Sequence, residues 1–184
     1  VEHIRYMYAS LVSFCDQQLG RVLDVFDKHN LWQDTLLLVN TDHGFLMGEH
    51  DWWAKVVTPF FQEVAHIPFW VYDPRIPECA NTTSQALAQT IDLAPTVLDY
   101  FDIPVPPDMQ GRRLLDAMRG DDAIRSASLY GVMGGQVNVT DGRYVYMRGS
   151  ATDDNGPLYE YTLMPTHMRS RFAPAELRLS LIHI

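Results

Sequence analysis

Between Asn40 and Lys55 the chain reads Asn-Thr-Asp-His-Gly-Phe-Leu-Met-Gly-Glu-His-Asp-Trp-Trp-Ala-Lys. Asp42 and His43 are neighbours, and a carboxylate beside an imidazole suits a divalent cation. Inside a strand their side chains would point to opposite faces. At a strand end followed by Gly44 the chain can turn so that both reach one ion. Lys55 offers an ammonium to neutralise an anionic oxygen near such an ion. Each residue also has an ordinary reading. Asp and His before Gly are common in turns, Lys55 suits a solvated surface, and Trp52 and Trp53 suit packing of the loop. Glu49 and His50 suit polar loop positions, substrate contacts or groups that support the ligands. Gly-Glu-His is not the zinc-protease helix motif, because no second His follows at the required spacing.

The apolar run Thr35-Leu-Leu-Leu-Val39 delivers these groups. An unbroken apolar strand, Leu36 to Val39, suits a sheet buried on both faces, as in a parallel sheet covered by helices. In open α/β sheets ligands bind beyond the carboxyl ends of the strands, where Asp42 and His43 stand. Ahead of it, Tyr8, Leu11, Val12, Cys15, Leu19, Val22, Leu23 and Phe26 form one stripe of a 3.6-residue period. That helix should fade near His29-Asn30. Cys15, on the stripe, is read as a small core residue. Phe60 to His66 suits a short helix or turn. Ile67 to Tyr72 reads as a second strand, with Pro68 at its start or edge. Pro95 fits the first turn of a helix reaching Phe101. Ser128 to Met133 and Val137 to Thr140 read as short strands. Asp141-Gly142 signals a hairpin leading into Arg143 to Met147, so Ser128 to Arg148 is expected to belong to a small antiparallel sheet.

The bulk composition narrows the class. A chain of 184 residues with 47% hydrophobic and 20% charged residues is an ordinary globular composition. A net charge of -9 argues against nucleic acid or anionic membrane as the main partner. No apolar run approaches the roughly 18 residues of a membrane span. Two cysteines do not make a disulfide framework. Asn81-Thr-Thr and Asn138-Val-Thr are formal glycosylation sequons. The final Leu179-Ser-Leu-Ile-His-Ile184 follows with no turn signal and is expected to be a sequencing artefact, outside fold reasoning.

Taken together, Asn40-Thr-Asp-His-Gly44, Gly48-Glu-His50 and Trp53-Ala-Lys55 resemble the sulfatase family of the alkaline phosphatase superfamily. The resemblance continues through Ile67-Pro-Phe-Trp-Val-Tyr-Asp-Pro74 and Ile91-Asp-Leu-Ala-Pro-Thr-Val-Leu98. It extends to Met109-Gln-Gly-Arg-Arg-Leu-Leu115, where Arg113 replaces the usual Ser, and to Thr140-Asp-Gly-Arg-Tyr-Val-Tyr146. It implies an α/β fold, part of an alkaline phosphatase-like sandwich with a mostly parallel sheet flanked by helices, plus a small C-terminal antiparallel-sheet subdomain. Residues 1-115 would be the C-terminal part of the catalytic α/β domain, residues 116-178 the C-terminal subdomain, and residues 179-184 the artefact.

The resemblance further implies a metal-dependent sulfuric ester hydrolase. Asp42 and His43 would be two ligands of a divalent metal, most often Ca2+, with Mn2+ or Zn2+ as alternatives better matched to the imidazole. Lys55 would be catalytic and contact the sulfate, and His50 would be a substrate contact. The family's nucleophile is a formylglycine made within Cys/Ser-x-Pro-x-Arg. Neither Cys15 nor Cys79 opens such a motif, and no Ser does. The nucleophile and the remaining Asp ligands are therefore expected upstream of this stretch, leaving these residues a catalytically incomplete fragment. The substrate would be a small sulfate ester or sulfated glycan, and the compartment periplasmic or secreted by family analogy. A phosphonate monoester or phosphodiester hydrolase of the same superfamily is the alternative.

Overall fold

A computed structural model of the chain describes residues 1–55, 59–120, 124–132, 134–152, 156, 161–162 and 182–183. The first helix, α1, runs Glu2–His29. It ends at Asn30, whose backbone is left-handed (φ 55°), and whose N–H bonds back to Asp27 and Phe26 carbonyls. Asn tolerates that conformation better than most residues, so the sequence stop signal is realised as a C-terminal cap. Of the apolar stripe only Phe26 is buried. Tyr8, Leu11, Val12 and Val22 are exposed, and so is Cys15. The expectation of a core cysteine is thus corrected. The stripe is real, but no described residue covers most of it.

Where α1 ends, three aromatic rings fasten it to the sheet. Phe26 packs against Trp32 at 4.8 Å between centroids, and Trp32 meets Tyr72 edge-on at 4.9 Å. The Trp32 indole N–H donates to Asp27 at 2.7 Å, and the Tyr72 hydroxyl donates to the Trp32 carbonyl at 2.8 Å. Buried aromatic bodies with satisfied polar tips make a specific joint of this kind.

Strand β1 (Leu37–Asn40) pairs with β4 (Phe69–Tyr72). Between them lie β2 (Leu46–Met47), β3 (Trp53–Ala54) and the short helix α2 (Gln62–Ala65). The β1–β4 ladder is antiparallel, with Leu37 opposite Tyr72 and Asn40 opposite Phe69. So are the β2–β3 ladder and every other ladder among the described residues. This corrects the expected mostly parallel sheet. A continuous apolar run reports burial on two faces but carries no information about strand direction. The run from Leu36 to Val39 is only half-buried, as β1 and β4 form a two-stranded sheet among the described residues.

Helix α3 (Leu93–Tyr100) follows a 3-10 turn at Thr90–Asp92, with Pro95 inside its first turn as expected. Helix α4 is Leu115–Met118. Leu114 and Ala117 are buried with Ile124, and Phe69, Val71 and Ala86 pack on them. Alternation along β4 leaves Trp70 on the opposite face, exposed. At Gly111 a Cβ would lie 1.9 Å from the Ile91 carbonyl oxygen, so only glycine lets that segment cross the 3-10 turn.

A three-stranded antiparallel sheet follows, with β5 (Ser128–Gly131), β6 (Val137–Thr140) and β7 (Val145–Arg148) in that order. The expected hairpin sits between β6 and β7. The Asp141 carboxylate accepts the Arg143 and Tyr144 amides at 2.9 and 2.7 Å, and Gly142 takes φ 88°. Asn138 is fully buried, and its side-chain amide donates to the Phe60 carbonyl at 3.2 Å. A two-residue ladder joins β8 (Tyr161–Thr162) to β9 (Ile182–His183). The other residues of the suspected artefact, Leu179–Leu181 and Ile184, lie outside the described residues, as does Met133 of the expected strand.

Candidate functional site

Strand β1 ends at Asn40, two residues before Asp42. The backbone there leaves the ladder, and Asp42 and His43 come together on one side. His43 Nε2 lies 3.3 Å from Asp42 Oδ2. The other ring nitrogen, Nδ1, faces the Gly44 carbonyl oxygen at 2.9 Å. A carbonyl only accepts, so Nδ1 carries the proton. In the neutral ring Nε2 then presents its lone pair toward a carboxylate oxygen. Two acceptors facing each other at this distance are satisfied by something positive between them, either a proton or a cation. This is the arrangement of a metal-binding histidine whose tautomer is fixed by a backbone carbonyl. A carboxylate oxygen and an imidazole nitrogen facing one point are donor types that a divalent cation accepts.

The Asp42 carboxylate is open to solvent, its side chain 79% exposed. Its Oδ1 accepts the His43 amide at 2.9 Å. What burial it has pushes the carboxyl up. The His43 amide, the His43 ring when it carries a second proton, and the Thr41 hydroxyl outweigh that and hold it below the usual carboxylate range. Among the described residues no group of three or more His, Cys, Asp or Glu side chains is placed to hold a metal ion.

Gly44 plays a different part from the turn first assigned to it. It is not among the positive-φ residues. A Cβ there would instead lie 1.8 Å from the Glu63 carbonyl oxygen, and its N–H donates to the Val64 carbonyl at 2.8 Å. The glycine allows α2 to close directly on the residue after the Asp-His pair.

The next turn holds an unusual density of left-handed backbone. Gly48 has φ 107°, His50 56°, Asp51 60° and Ala54 90°. Each such non-glycine residue costs about 1–3 kcal/mol and persists only where its surroundings impose it. The surroundings are identifiable. The Glu49 carboxylate accepts the Met47 amide, which, with the Arg5 charge, holds that carboxyl low against slight burial. From α1, Arg5 donates to the Met47 carbonyl at 3.0 and 2.8 Å. His50 stacks on Phe61 at 3.8 Å, nearly parallel, and its Nε2 faces both Glu63 carboxylate oxygens at 3.2 and 3.3 Å. Trp53 packs beside Gly48. Trp52 does not pack as expected and is 46% exposed.

Lys55 follows β3 and is exposed. It makes no ion pair with Asp42 or any other described residue. The sequence-identified residues thus fall into three groups: Asp42 with His43, His50 held separately by α2, and Lys55 beyond the strained turn. Sequence reasoning missed Glu63 and Arg5, which reach the turn from α2 and α1. No local spacing could have revealed either.

A second polar centre is built around Asp92. Asp92 is completely buried, and Arg125 meets both its carboxylate oxygens from a guanidinium that is 9% exposed. The Gln89 and Arg112 amides also donate to it, at 2.7 and 2.8 Å. Burial pushes this carboxyl up, but Arg125 and the two amides outweigh it and hold it below the usual range.

The family model described as Sulfatase matches residues 2–103, over half of the chain. The chain is 31% identical over 114 residues to an N-acetylglucosamine-6-O-sulfatase of Bacteroides thetaiotaomicron, covering 62% of this chain and 20% of that protein. It is 30% identical over 115 residues to a multifunctional alkaline phosphatase superfamily protein, PehA, of Trinickia caryophylli, covering 62% and 22%. Its fold resembles a solved structure described as in complex with its substrate D-glucosamine-2-N,6-O-disulfate. The TM-score is 0.62 at 24% identity, covering 78% of this chain and 31% of that one. The chain spans about a fifth of the length of the curated relatives it matches. The Asp-His pair at the end of β1 and the family match over residues 2–103 agree: this chain belongs to the sulfatase family.

Proposed function

We propose that the whole protein is a sulfuric ester hydrolase to which this chain contributes part of the active site. The observation that carries the reading is the Asp42–His43 pair, with the His43 tautomer fixed so that Nε2 and the carboxylate face one point. A divalent cation bound there, Ca2+ as the first choice and Mn2+ or Zn2+ as alternatives, would polarise the sulfate oxygens. Asp42 and His43 supply a charged oxygen and a nitrogen to hold it. Lys55, free of any carboxylate partner among the described residues, is available to counter negative charge on a substrate oxygen. The oxygen nucleophile, a formylglycine in this reading, belongs to sequence upstream of Val1. Residues 1-115 then form part of a catalytic domain and residues 116-178 a C-terminal subdomain. The substrate class is a small sulfate ester or sulfated glycan, and a periplasmic or secreted site goes with family analogy.

A second reading, a phosphonate monoester or phosphodiester hydrolase, is favoured by the likeness to a multifunctional member of the superfamily. One experiment separates them. The full-length protein is assayed in parallel on an aryl sulfate and a phosphate diester, with and without a chelator. Chelator-sensitive turnover of the sulfate at the higher kcat/KM supports the first reading, and preference for the diester replaces it with the second. Residues 1–184 expressed alone are expected to turn over neither.

A further inference from the structure

The hairpin that leads to Lys55 is gripped from outside by one side chain of α1. Arg5 donates from Nε and Nη2 to the Met47 carbonyl at 3.0 and 2.8 Å. On the same residue the amide donates to the Glu49 carboxylate. Both backbone groups of Met47 are therefore bound by side chains of opposite charge. Gly48 leaves room for the grip, since a Cβ there would lie 2.9 Å from Arg5 Nη2 and 3.2 Å from the Trp53 ring. Met47 pairs with Trp53, and Leu46 pairs with Ala54, the residue before Lys55. Leu46 is fully buried, so one end of β2 is anchored in the core while Arg5 holds the other. Ala54 takes φ 90°, a conformation that an alanine keeps only where its surroundings impose it. That bend sets the direction in which the chain enters Lys55. Two donors of a rigid planar fork converging on one oxygen fix a direction that a single ammonium on a flexible stem would not.

We propose that Arg5 is a positioning residue for Lys55, acting from α1 through the Met47 carbonyl and the β2–β3 ladder. The proposal rests on the sulfatase reading above, in which Lys55 counters charge on a substrate oxygen, and adds to it the residue that aims the ammonium. Arg5 itself touches neither substrate nor metal. It holds β2 in register so that the bend at Ala54, and with it Lys55, stays in one place. The guanidinium is exposed, so its removal leaves no void in the core.

The test is a double-mutant cycle in the full-length protein at saturating Ca2+, with 4-nitrophenyl sulfate as substrate and kcat separated from KM. Arg5→Met is expected to lower kcat by roughly 10-fold or more, the scale for a misplaced catalytic group, with KM moving less. In a Lys55→Ala background the same substitution is expected to change kcat by less than about 2-fold, because the group it positions is gone. The cycle repeated with Arg5→Lys, which keeps the charge and one donor, is expected to give a smaller loss that vanishes in the same background, so the result does not hang on the folding of one variant. A brace for the fold in general would multiply the two losses instead. That result, or full kcat in Arg5→Met, overturns the proposal and leaves the sulfatase reading standing. Full turnover in Lys55→Ala does the same, since nothing is then being positioned. A wild-type protein that does not cleave the sulfate overturns both.

Discussion

Asp42 lies just past the end of β1 and Asp92 at the join between a 3-10 turn and α3, yet their surroundings are opposite. Asp92 is sealed from solvent and receives two backbone amides and a two-pronged arginine. Asp42 is largely exposed, and its second oxygen faces a ring nitrogen that has no proton when neutral. The first carboxylate is fully compensated by its own chain. The second has the His43 amide and the Thr41 hydroxyl, but no arginine or lysine partner among the described residues. In the proposed function, what separates the structural carboxylate from the one offered to a ligand is who supplies the missing positive charge.

The comparison yields graded tests. Asp92→Asn should have the largest effect on stability, about 3–5 kcal/mol by denaturant unfolding, because it strands the Arg125 charge in a dry environment. Replacing both Asp92 and Arg125 by apolar residues of similar volume should recover part of that loss. If Asp92→Asn unfolds like the parent, the buried pair does not hold the fold. Asp42→Ala in the full-length protein should do the reverse. Turnover should fall by roughly 10²–10³-fold, the cost of losing one preorganised electrostatic partner, with an unchanged unfolding midpoint. A lowered midpoint at normal turnover would make Asp42 structural. Lys55→Ala comes next, with turnover expected to drop by roughly 10²-fold. Unchanged turnover would remove Lys55 from the mechanism.

The smallest effect is in pH dependence. The Asp92 carboxyl is held below its usual range in the folded chain. Its contribution is therefore present above the unfolded value of about 3.9 and disappears as pH falls through the lower folded value. The same holds for Asp73, which burial pushes up but Arg75 and its amide hold low. Unfolding midpoints measured between pH 5 and 2 should fall, and more gently in Asp92→Asn. Identical slopes in the two proteins would show that Asp92 does not titrate with folding.

Much of the scaffold was legible in the sequence. The α1 stripe, the Asn30 stop, the β1 run, the Pro95 turn and the Asp141-Gly142 hairpin all depend on interactions within a few residues, which spacing records. The adjacency of Asp42 and His43 made their pairing readable too. What was not legible depends on distant chain. Asp92 and Arg125 are 33 positions apart, and His50 and Glu63 are 13 apart on different elements. Strand direction leaves no mark in an apolar run, so the antiparallel β1–β4 ladder was missed. Cys15 sits on an apolar stripe, and periodicity says which residues share a face but not whether anything covers it. Gly44 was recognised as necessary for the wrong reason, since close approach and positive φ both select glycine.

Asn138 carries a consequence for biosynthesis. Its sequon is complete, but its amide nitrogen is buried and bonded to the Phe60 carbonyl, whereas Asn81 lies in the open. In a secretory host the two positions would keep different clocks. Asn81 could accept a sugar at any time, but Asn138 only before β6 joins its neighbours. A glycan at Asn138 would then be a chemical record of a chain modified while still unfolded, and one that could no longer close its sheet in the same way.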